Sequence, residues 1–161
     1  MVPSVVSASP ISSDINIKET RRQGVQGVQD ICFKRLKMAY SFEDVIAWQK
    51  AHAFVLIVYR ITKHYPIDEM YGLTSQFRRA AISIEANIAE GYKKLSKADK
   101  LRFMNISQGS LEECRDYILL SRDLQYITTD EFLELYNTLE DASRMLYLYC
   151  NGIINNNGIK D

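Results

Sequence analysis

The sequence predicts an all-α protein, an antiparallel up-and-down four-helix bundle. Four stretches repeat their apolar residues at spacings of three and four, which is the period of an amphipathic helix. Only three prolines and seven glycines interrupt the 161 residues, which favours long elements over the many turns of a β-sandwich. The predicted connections are short, and short connections make consecutive helices antiparallel. We expect the bundle to span residues 38–154.

The two termini lack this periodicity. Residues 1–37 combine serine-rich and glycine-interrupted polar stretches, so we expect a disordered leader there and a loose tail over residues 155–161. Two interpretations of the leader stay open. Met38 is the natural start and the leader is an over-extended reading frame, or the leader, with six basic and three acidic residues, is a basic arm for nucleic acid.

The first helix is expected to begin at Ser41 and to run to about Lys63, ahead of Pro66. Ser41 is a favourable N-cap, and two acidic residues follow it in the first turn. One predicted inner stripe consists of Phe42, Val45, Trp48, His52, Val55 and Tyr59. Ala51–Ile61 is apolar almost all round, which predicts that one side of this helix meets another subunit.

The second helix is expected to begin near Thr74 and to end at Gly91, which would be the C′ glycine. Asn87 lies near its inner stripe, and a buried asparagine needs hydrogen-bond partners. The residues of that stripe are Leu73, Phe77, Ala80, Ala81, Ile84 and Ile88.

The third and fourth helices begin at hydroxyl-bearing N-caps. Ser96 opens the third helix with the spacing of a capping box, and this helix continues to about Gln125. Its seam consists of Phe103, Ser107, Ser110, Cys114, Tyr117, Ser121 and Leu124. Thr128–Glu131 opens the fourth helix, which Gly152 ends. Its apolar stripe consists of Phe132, Leu135, Tyr136, Leu139, Ala142, Ser143, Leu146, Tyr149, Cys150 and Ile153.

The cysteines and the apolar runs indicate a cytoplasmic protein. The cysteines are Cys32, Cys114 and Cys150, an odd number without a CxxC pair, which is typical of a reducing compartment. The longest apolar run, Ala53–Tyr59, is far shorter than the roughly 20 residues that cross a bilayer. The first residues also lack a signal-peptide pattern, so we expect no membrane partner.

The sequence lacks the residue patterns of an enzyme. Neither histidine has the glutamate three residues before it that a di-iron bundle site requires. Cys114 and Cys150 lie on inner stripes, where cysteine is usually a small apolar filler. We expect Glu112–Glu113, Glu85 and Glu90 to be solvated or paired with nearby arginines. No catalytic residue, metal or cofactor is therefore predicted.

Charge is the stronger functional signal. The chain holds 20 basic and 20 acidic residues, yet residues 78–102 hold seven basic against three acidic ones, and residues 103–161 hold four against ten. Basic side chains neutralise phosphates, and the neighbouring Tyr92 can stack on an unpaired base. The alternative is a solvated turn, or a patch that docks on the acidic fourth helix of another subunit. The candidate nucleic-acid-binding residues are Arg78, Arg79, Lys93, Lys94, Lys97, Lys100 and Arg102. Arg78 and Arg79 are the weaker members, because one of these mid-helix arginines is expected to be an internal ion-pair partner.

An ordered series of motifs resembles one known family. The segments are Trp48–Ala51, Tyr65–Pro66, Tyr71–Ala81, Ser83–Gly91 and Gly109–Glu113. They resemble the four-helix bundle proteins encoded in intervening sequences of bacterial 23S ribosomal RNA genes. The resemblance covers about residues 41–153, and one departure from the family pattern is Glu85, where the family typically has proline.

The resemblance implies an up-and-down bundle that assembles as a homopentameric ring and has no catalytic residues. It also implies kinship with the accessory protein of diversity-generating retroelements, a basic pentameric barrel that binds nucleic acid and a reverse transcriptase. Two hypotheses follow. The protein binds structured RNA or DNA through its basic surface, or it is a protein–protein adaptor that recruits an RNA-processing or reverse-transcribing enzyme.

Overall fold

A computed structural model describes residues 41–155, which contain four long α-helices and no strand. The all-α, four-helix prediction is therefore confirmed. The helices are α1 (Ile46–Ile61), α2 (Leu73–Tyr92), α3 (Lys97–Asp123) and α4 (Thr129–Asn155). Short 3-10 helices cover Phe42–Asp44, Thr62–His64 and Ile67–Glu69. The expected leader, residues 1–37, and the tail after residue 155 lie outside the described residues.

The four helices enclose one apolar core. α1 packs against α2 and α4, and α3 packs against the same two helices. Each helix contributes a fully buried anchor, namely Phe54, Ile84, Leu111 and Leu139 in chain order. Burying an apolar side chain of this size stabilises the fold by roughly 1.5–3 kcal/mol. The core is thus shared among all four helices.

The predicted start of the first helix was wrong by five residues. Ser41 does act as a cap, because its backbone N–H donates to the Asp44 carboxylate at 3.2 Å and its hydroxyl accepts from the Glu43 N–H at 3.4 Å. The element that it caps is the 3-10 turn Phe42–Asp44. Val45 is extended (φ −77°, ψ 115°), so the α-helix begins only at Ile46.

The face that α1 buries also differs from the predicted stripe. Trp48 and His52 are only half-buried and stack on each other with ring centroids 4.9 Å apart, and Tyr59 is exposed. These amphipathic residues lie at the edge of the core, whereas small alanines at its centre let the neighbouring helices approach. The buried residues are Ala47, Ala51, Phe54, Val55, Val58 and Ile61.

Two glycines expected to end helices lie inside them. Gly91 is buried in the last turn of α2, where an added Cβ would lie 2.3 Å from the Met104 methyl carbon and 2.9 Å from the Phe103 Cβ. It therefore permits close approach of α2 and α3. Gly152 lies within α4, which continues to Asn155. The predicted ends at both glycines were wrong.

The start signals of α3 and α4 are confirmed. The Ser96 hydroxyl accepts from the Asp99 N–H at 3.1 Å. Thr128 and Glu131 form a reciprocal capping box, with the Glu131 N–H donating to the Thr128 hydroxyl (3.3 Å) and the Thr128 N–H to the Glu131 carboxylate (2.8 Å).

The third helix ends two residues earlier than predicted, at Asp123. Gln125 has φ +60°, the left-handed conformation that reverses the chain after a helix. The Tyr126 N–H donates to the Ser121 carbonyl and the Gln125 N–H to the Arg122 carbonyl, both at 2.9 Å. This pair of bonds is a Schellman motif, formed here without glycine.

Candidate nucleic-acid interface

The seven predicted binding residues divide into two groups. Five of them, Lys93 to Arg102 in sequence order, lie within ten residues at the turn that joins α2 to α3. Arg78 and Arg79 belong to the first half of α2, and the 14 helical steps from Arg79 to Lys93 correspond to about 21 Å at 1.5 Å per residue. The turn therefore carries a compact group of cations, and the two arginines lie apart from it.

Two lysines of the turn bind the C-terminal ends of helices. Lys97 Nζ donates to the Ile154 carbonyl in the last turn of α4 at 2.5 Å. Lys100 Nζ donates to the Tyr92 carbonyl at the end of α2 at 3.3 Å. Carbonyls in the last turn of a helix need partners from outside the helix and lie at the negative end of the helix dipole. The two bonds therefore stabilise the fold, and they hold both lysines at the turn.

The Phe103 ring contacts two further cations. Lys94 Nζ is 4.6 Å from the centre of its ring, and the Arg102 guanidinium carbon is 5.1 Å from it. Lys94 also pairs with Glu90 at 3.0 Å. Phe103 is itself buried, so its ring is a fixed apolar support for both cations.

Lys93 and Arg102 retain the most freedom to bind a ligand. Both side chains are exposed, and the structure over residues 41–155 pairs neither with a carboxylate. Lys93 Nζ lies 5.7 Å from the centre of the Tyr92 ring, and the Arg102 guanidinium lies over the Phe103 ring. These two residues therefore present net positive charge to solvent.

The two arginines of α2 have different environments. The Arg78 Nε donates to the Thr62 hydroxyl at 2.8 Å, and its guanidinium lies 4.9 Å from the centre of the Tyr59 ring. Arg78 therefore links α2 to the end of α1 through a hydroxyl and an aromatic ring, and the internal ion pair expected for one of these arginines is absent from residues 41–155. Arg79 is exposed on the outer side of α2.

The acidic residues pair differently from what the sequence suggested. Glu85 contacts His52 Nδ1 at 2.8 Å, and Glu90 contacts Lys94, so the expectation of arginine partners for these two was wrong. The expected pair of Glu112 with Arg115 is present at 3.0 Å, and Arg115 also pairs with Glu140 of α4. Sequence spacing did not reveal the His52–Glu85 contact, because it depends on how α1 packs against α2.

Asn87 has the partners that its position required. Its side-chain amide donates to the Ser83 carbonyl at 2.7 Å and to the Ser83 hydroxyl at 3.1 Å. The Ser110 hydroxyl of α3 donates to the Ser83 hydroxyl oxygen at 2.8 Å. The Ser110–Ser83 bond joins α3 to α2, whereas the two Asn87 bonds lie within α2.

The described cysteines are interior residues. Burial raises the pKa of the Cys114 thiol far above its usual range, and burial also raises the pKa of Cys150. Both thiols are therefore poor nucleophiles at neutral pH. Among residues 41–155, no group of three His, Cys, Asp or Glu side chains could hold a metal ion. Cys32 lies outside the described residues.

An open cavity of about 450 Å³ lies between α3 and α4. Glu112 and Glu140 line it, and both carboxylates are bound by Arg115. Arg144 lines it as well and pairs with Asp141 at 2.6 Å. Because these charged groups already have partners in the fold, the α2–α3 turn is the stronger candidate site within residues 41–155.

Comparisons with known proteins agree with the helical architecture. Residues 43–148 match the family described as 23S rRNA-intervening sequence protein. A crystal structure from Bacteroides thetaiotaomicron VPI-5482, described as a protein with unknown function from the S23 ribosomal protein family, aligns with a TM-score of 0.62. That chain is 22% identical, and the alignment covers 68% of this chain and 98% of the other. No curated protein matches. No helix within residues 41–155 has the length and apolar character needed to cross a membrane.

Proposed function

The chain belongs to the 23S rRNA-intervening sequence protein family, and from that premise we propose that it is a non-enzymatic cytoplasmic protein that binds structured RNA or DNA. The proposed interface is the turn cluster, Lys93, Lys94, Lys97, Lys100 and Arg102. The observation that carries the proposal is the unpaired charge at Lys93 and Arg102, beside lysines held in place by helix-end carbonyls.

The turn cluster suits phosphate binding for a physical reason. Each lysine or arginine that neutralises a phosphate releases condensed counterions, which favours association at moderate salt. The capping bonds of Lys97 and Lys100 each use one of the three N–H donors of an ammonium, so both can still bind a phosphate. These bonds pre-organise Lys97 and Lys100, so binding has fewer side chains to order.

We also propose that the bundle is antiparallel and forms a homo-oligomeric ring, pentameric as the resemblance implies. Four residues join α2 to α3 and five join α3 to α4, and such short connections support an up-and-down arrangement. On the outer side of α1, Ile46 and Leu56 are each 58% exposed, with the exposed Ala53 between them in sequence. This face is the proposed contact with another copy. In a ring the turn cluster is repeated, so weak phosphate contacts add through effective concentration.

Charge reversal tests the nucleic-acid interface. The parent and a variant with all five turn residues changed to glutamate are titrated with a fluorescent RNA stem from an intervening sequence. We expect the variant to lose measurable binding at moderate salt while circular dichroism shows the parent's helix content. Parent-like affinity of the variant contradicts the proposal.

A matched pair controls for net charge. Lys93→Glu/Arg102→Glu and Lys63→Glu/Arg79→Glu change the charge equally, and all four side chains are exposed. Only the first pair lies at the turn, so only it should weaken binding strongly. Equal losses in the two variants mean that binding follows net charge and not this surface.

A protein–protein adaptor is the second candidate. The α1–α2 connection exposes Ile67 by 74% and Tyr71 by 91%, and aromatic and large apolar side chains are typical anchors of protein interfaces. The expected partner is an RNA-processing or reverse-transcribing enzyme. A partner retained after nuclease treatment and released by Ile67→Ser/Tyr71→Ser supports this function. Retention by the double variant contradicts it.

A further inference from the structure

The most exposed large apolar side chain within residues 41–155 lies at the centre of the turn cluster. Leu95 is 96% exposed and follows Lys93 and Lys94 directly, with Lys97 two residues beyond it. Isolated exposed leucines are common on protein surfaces and need no function by themselves. This leucine differs in its setting, because cations flank it on both sides in the chain.

Hydrogen bonds hold the backbone on either side of Leu95. The Lys93 N–H donates to the Glu90 carbonyl and the Lys94 N–H to the Gly91 carbonyl, both at 3.2 Å. On the other side, Ser96 caps α3 through the Asp99 N–H at 3.1 Å. These bonds hold the backbone beside Leu95 in place, so little conformational freedom is lost when the leucine binds.

An apolar side chain that cations flank in the chain can contact a stacked base while the cations contact the nucleic-acid backbone. Proteins that deform nucleic acids insert leucine, isoleucine, methionine or phenylalanine between base steps while nearby cations hold the phosphates. Unstacking a paired step costs free energy, and the cost is smallest where the base is already unpaired or mismatched. A leucine at this position therefore favours a duplex whose stacking is already interrupted.

We propose that Leu95 is a wedge residue that makes the α2–α3 turn select stems interrupted by a bulge over continuous duplexes. The inference rests on the proposed function and names the class of nucleic acid that the site takes. Lys93, Lys94 and Lys97 contact the phosphates on either side of the interruption, and Leu95 packs against the exposed base face. Affinity comes from the cations, and selectivity for the bulge comes from the leucine.

Two RNA hairpins of equal nucleotide number and charge test this inference. One has an uninterrupted stem, and the other has a two-nucleotide bulge flanked by a 2-aminopurine. We expect the full chain to bind the bulged hairpin about tenfold more tightly, the scale of burying one leucine side chain. Leu95→Ser should remove this preference and leave the affinity for the uninterrupted hairpin unchanged. Leu95→Met, which keeps an apolar wedge, should retain it.

A second measurement separates insertion from a general effect of the mutation. The 2-aminopurine fluorescence should rise when the parent binds, because the base unstacks, and should not rise with Leu95→Ser. Leu120→Ser changes another exposed leucine, on α3, and should behave as the parent in both measurements.

The outcomes distinguish the wedge assignment from the proposed function. Equal binding of both hairpins by the parent, or an equal loss on both hairpins with Leu95→Ser, overturns the wedge assignment alone, provided that binding still depends on the turn lysines. If the five-residue charge variant binds both hairpins as the parent does, the proposed function fails and the wedge assignment fails with it.

Discussion

The two ends of α2 use polar side chains in opposite ways. We call residues 92–102 the turn end and residues 62–72 the loop end. At the loop end Thr62, Tyr65 and Glu69 are hydrogen-bonded to other parts of the fold, as when Arg78 of α2 donates to Thr62. At the turn end several cations bind only backbone carbonyls or aromatic rings, and Lys93 and Arg102 face solvent. Arg78 and the cations of the turn end therefore have different roles, although all of them belong to the same basic stretch of the sequence.

Hydrogen bonds link the loop end to the last turn of α3 and to the α3–α4 connection. Tyr65 donates to the Ser121 hydroxyl at 2.6 Å, and burial raises the pKa of the Tyr65 phenol. Glu69 accepts from the Leu73 N–H at 2.9 Å and from the Tyr126 hydroxyl at 3.3 Å. These bonds satisfy groups that would otherwise need water. The loop end contributes stability, and we assign RNA affinity to the turn end.

The largest expected effect on stability comes from Gly91, beside the turn end. Gly91→Leu places a side chain where Met104 and Phe103 already pack, so we expect the free energy of unfolding to fall by about 1–3 kcal/mol. Chemical denaturation measures it. Gly109→Ala is the control, because a Cβ there meets no atom within 4 Å, and it should raise stability by about 0.5–1 kcal/mol. A neutral Gly91→Leu contradicts the close packing of α2 on α3.

Glu69 tests the loop end. Glu69→Ala removes the acceptor for the Leu73 N–H and for the Tyr126 hydroxyl, and we expect a loss of about 1–2 kcal/mol in the free energy of unfolding. RNA affinity, measured by fluorescence anisotropy at a temperature where the variant is folded, should not change. A substantial loss of RNA affinity in Glu69→Ala would contradict the assignment of stability to the loop end and RNA binding to the turn end.

Two helix caps compare the ends directly. Ser96→Ala and Thr128→Ala each remove an N-cap, and each should cost about 1 kcal/mol in thermal or chemical unfolding. Ser96 belongs to the turn end and directly precedes Lys97, so only its variant should also weaken RNA binding, by loosening the backbone that carries this lysine. Equal RNA affinities of the two variants show that the order of the turn does not matter for binding.

The smallest expected effect is a gain in stability at Gln125. A φ of +60° is unfavourable for a residue with a Cβ, and Gln125→Gly removes this cost. Glycine also raises the conformational entropy of the unfolded chain, which offsets part of the gain in stability. We expect a net gain below about 1 kcal/mol and parent-like RNA binding. A loss of stability means that the glutamine side chain contributes contacts that outweigh the backbone cost.

Local signals predicted most of the fold. The caps at Ser96 and Thr128 depend on residues three apart, and the inner stripes of α2 and α4 follow from apolar periodicity alone. α1 was harder because it is apolar almost all round, so its periodicity does not select the buried face. The role of Gly91 as a contact and not a cap depends on the neighbouring α3, which periodicity within α2 does not contain.

The candidate site was predicted in composition and not in arrangement. The sequence identified every basic residue of the turn, but it grouped Arg78 with them although Arg78 binds Thr62 and lies over Tyr59. The helix-capping bonds of Lys97 and Lys100 were also missed, because Lys97 binds a carbonyl 57 residues away in the chain. Long-range contacts of this kind have no spacing signature.

The salt dependence of RNA binding tests the central claim most directly. The logarithm of the association constant is measured against the logarithm of salt concentration for the parent, for Lys93→Gln/Arg102→Gln and for Lys63→Gln/Arg79→Gln. The account predicts that the turn-end variant has a slope shallower by about two, because two phosphates are no longer neutralised, and that the other variant keeps the parent's slope. A parent-like slope for the turn-end variant, or an equal change in both variants, would contradict it.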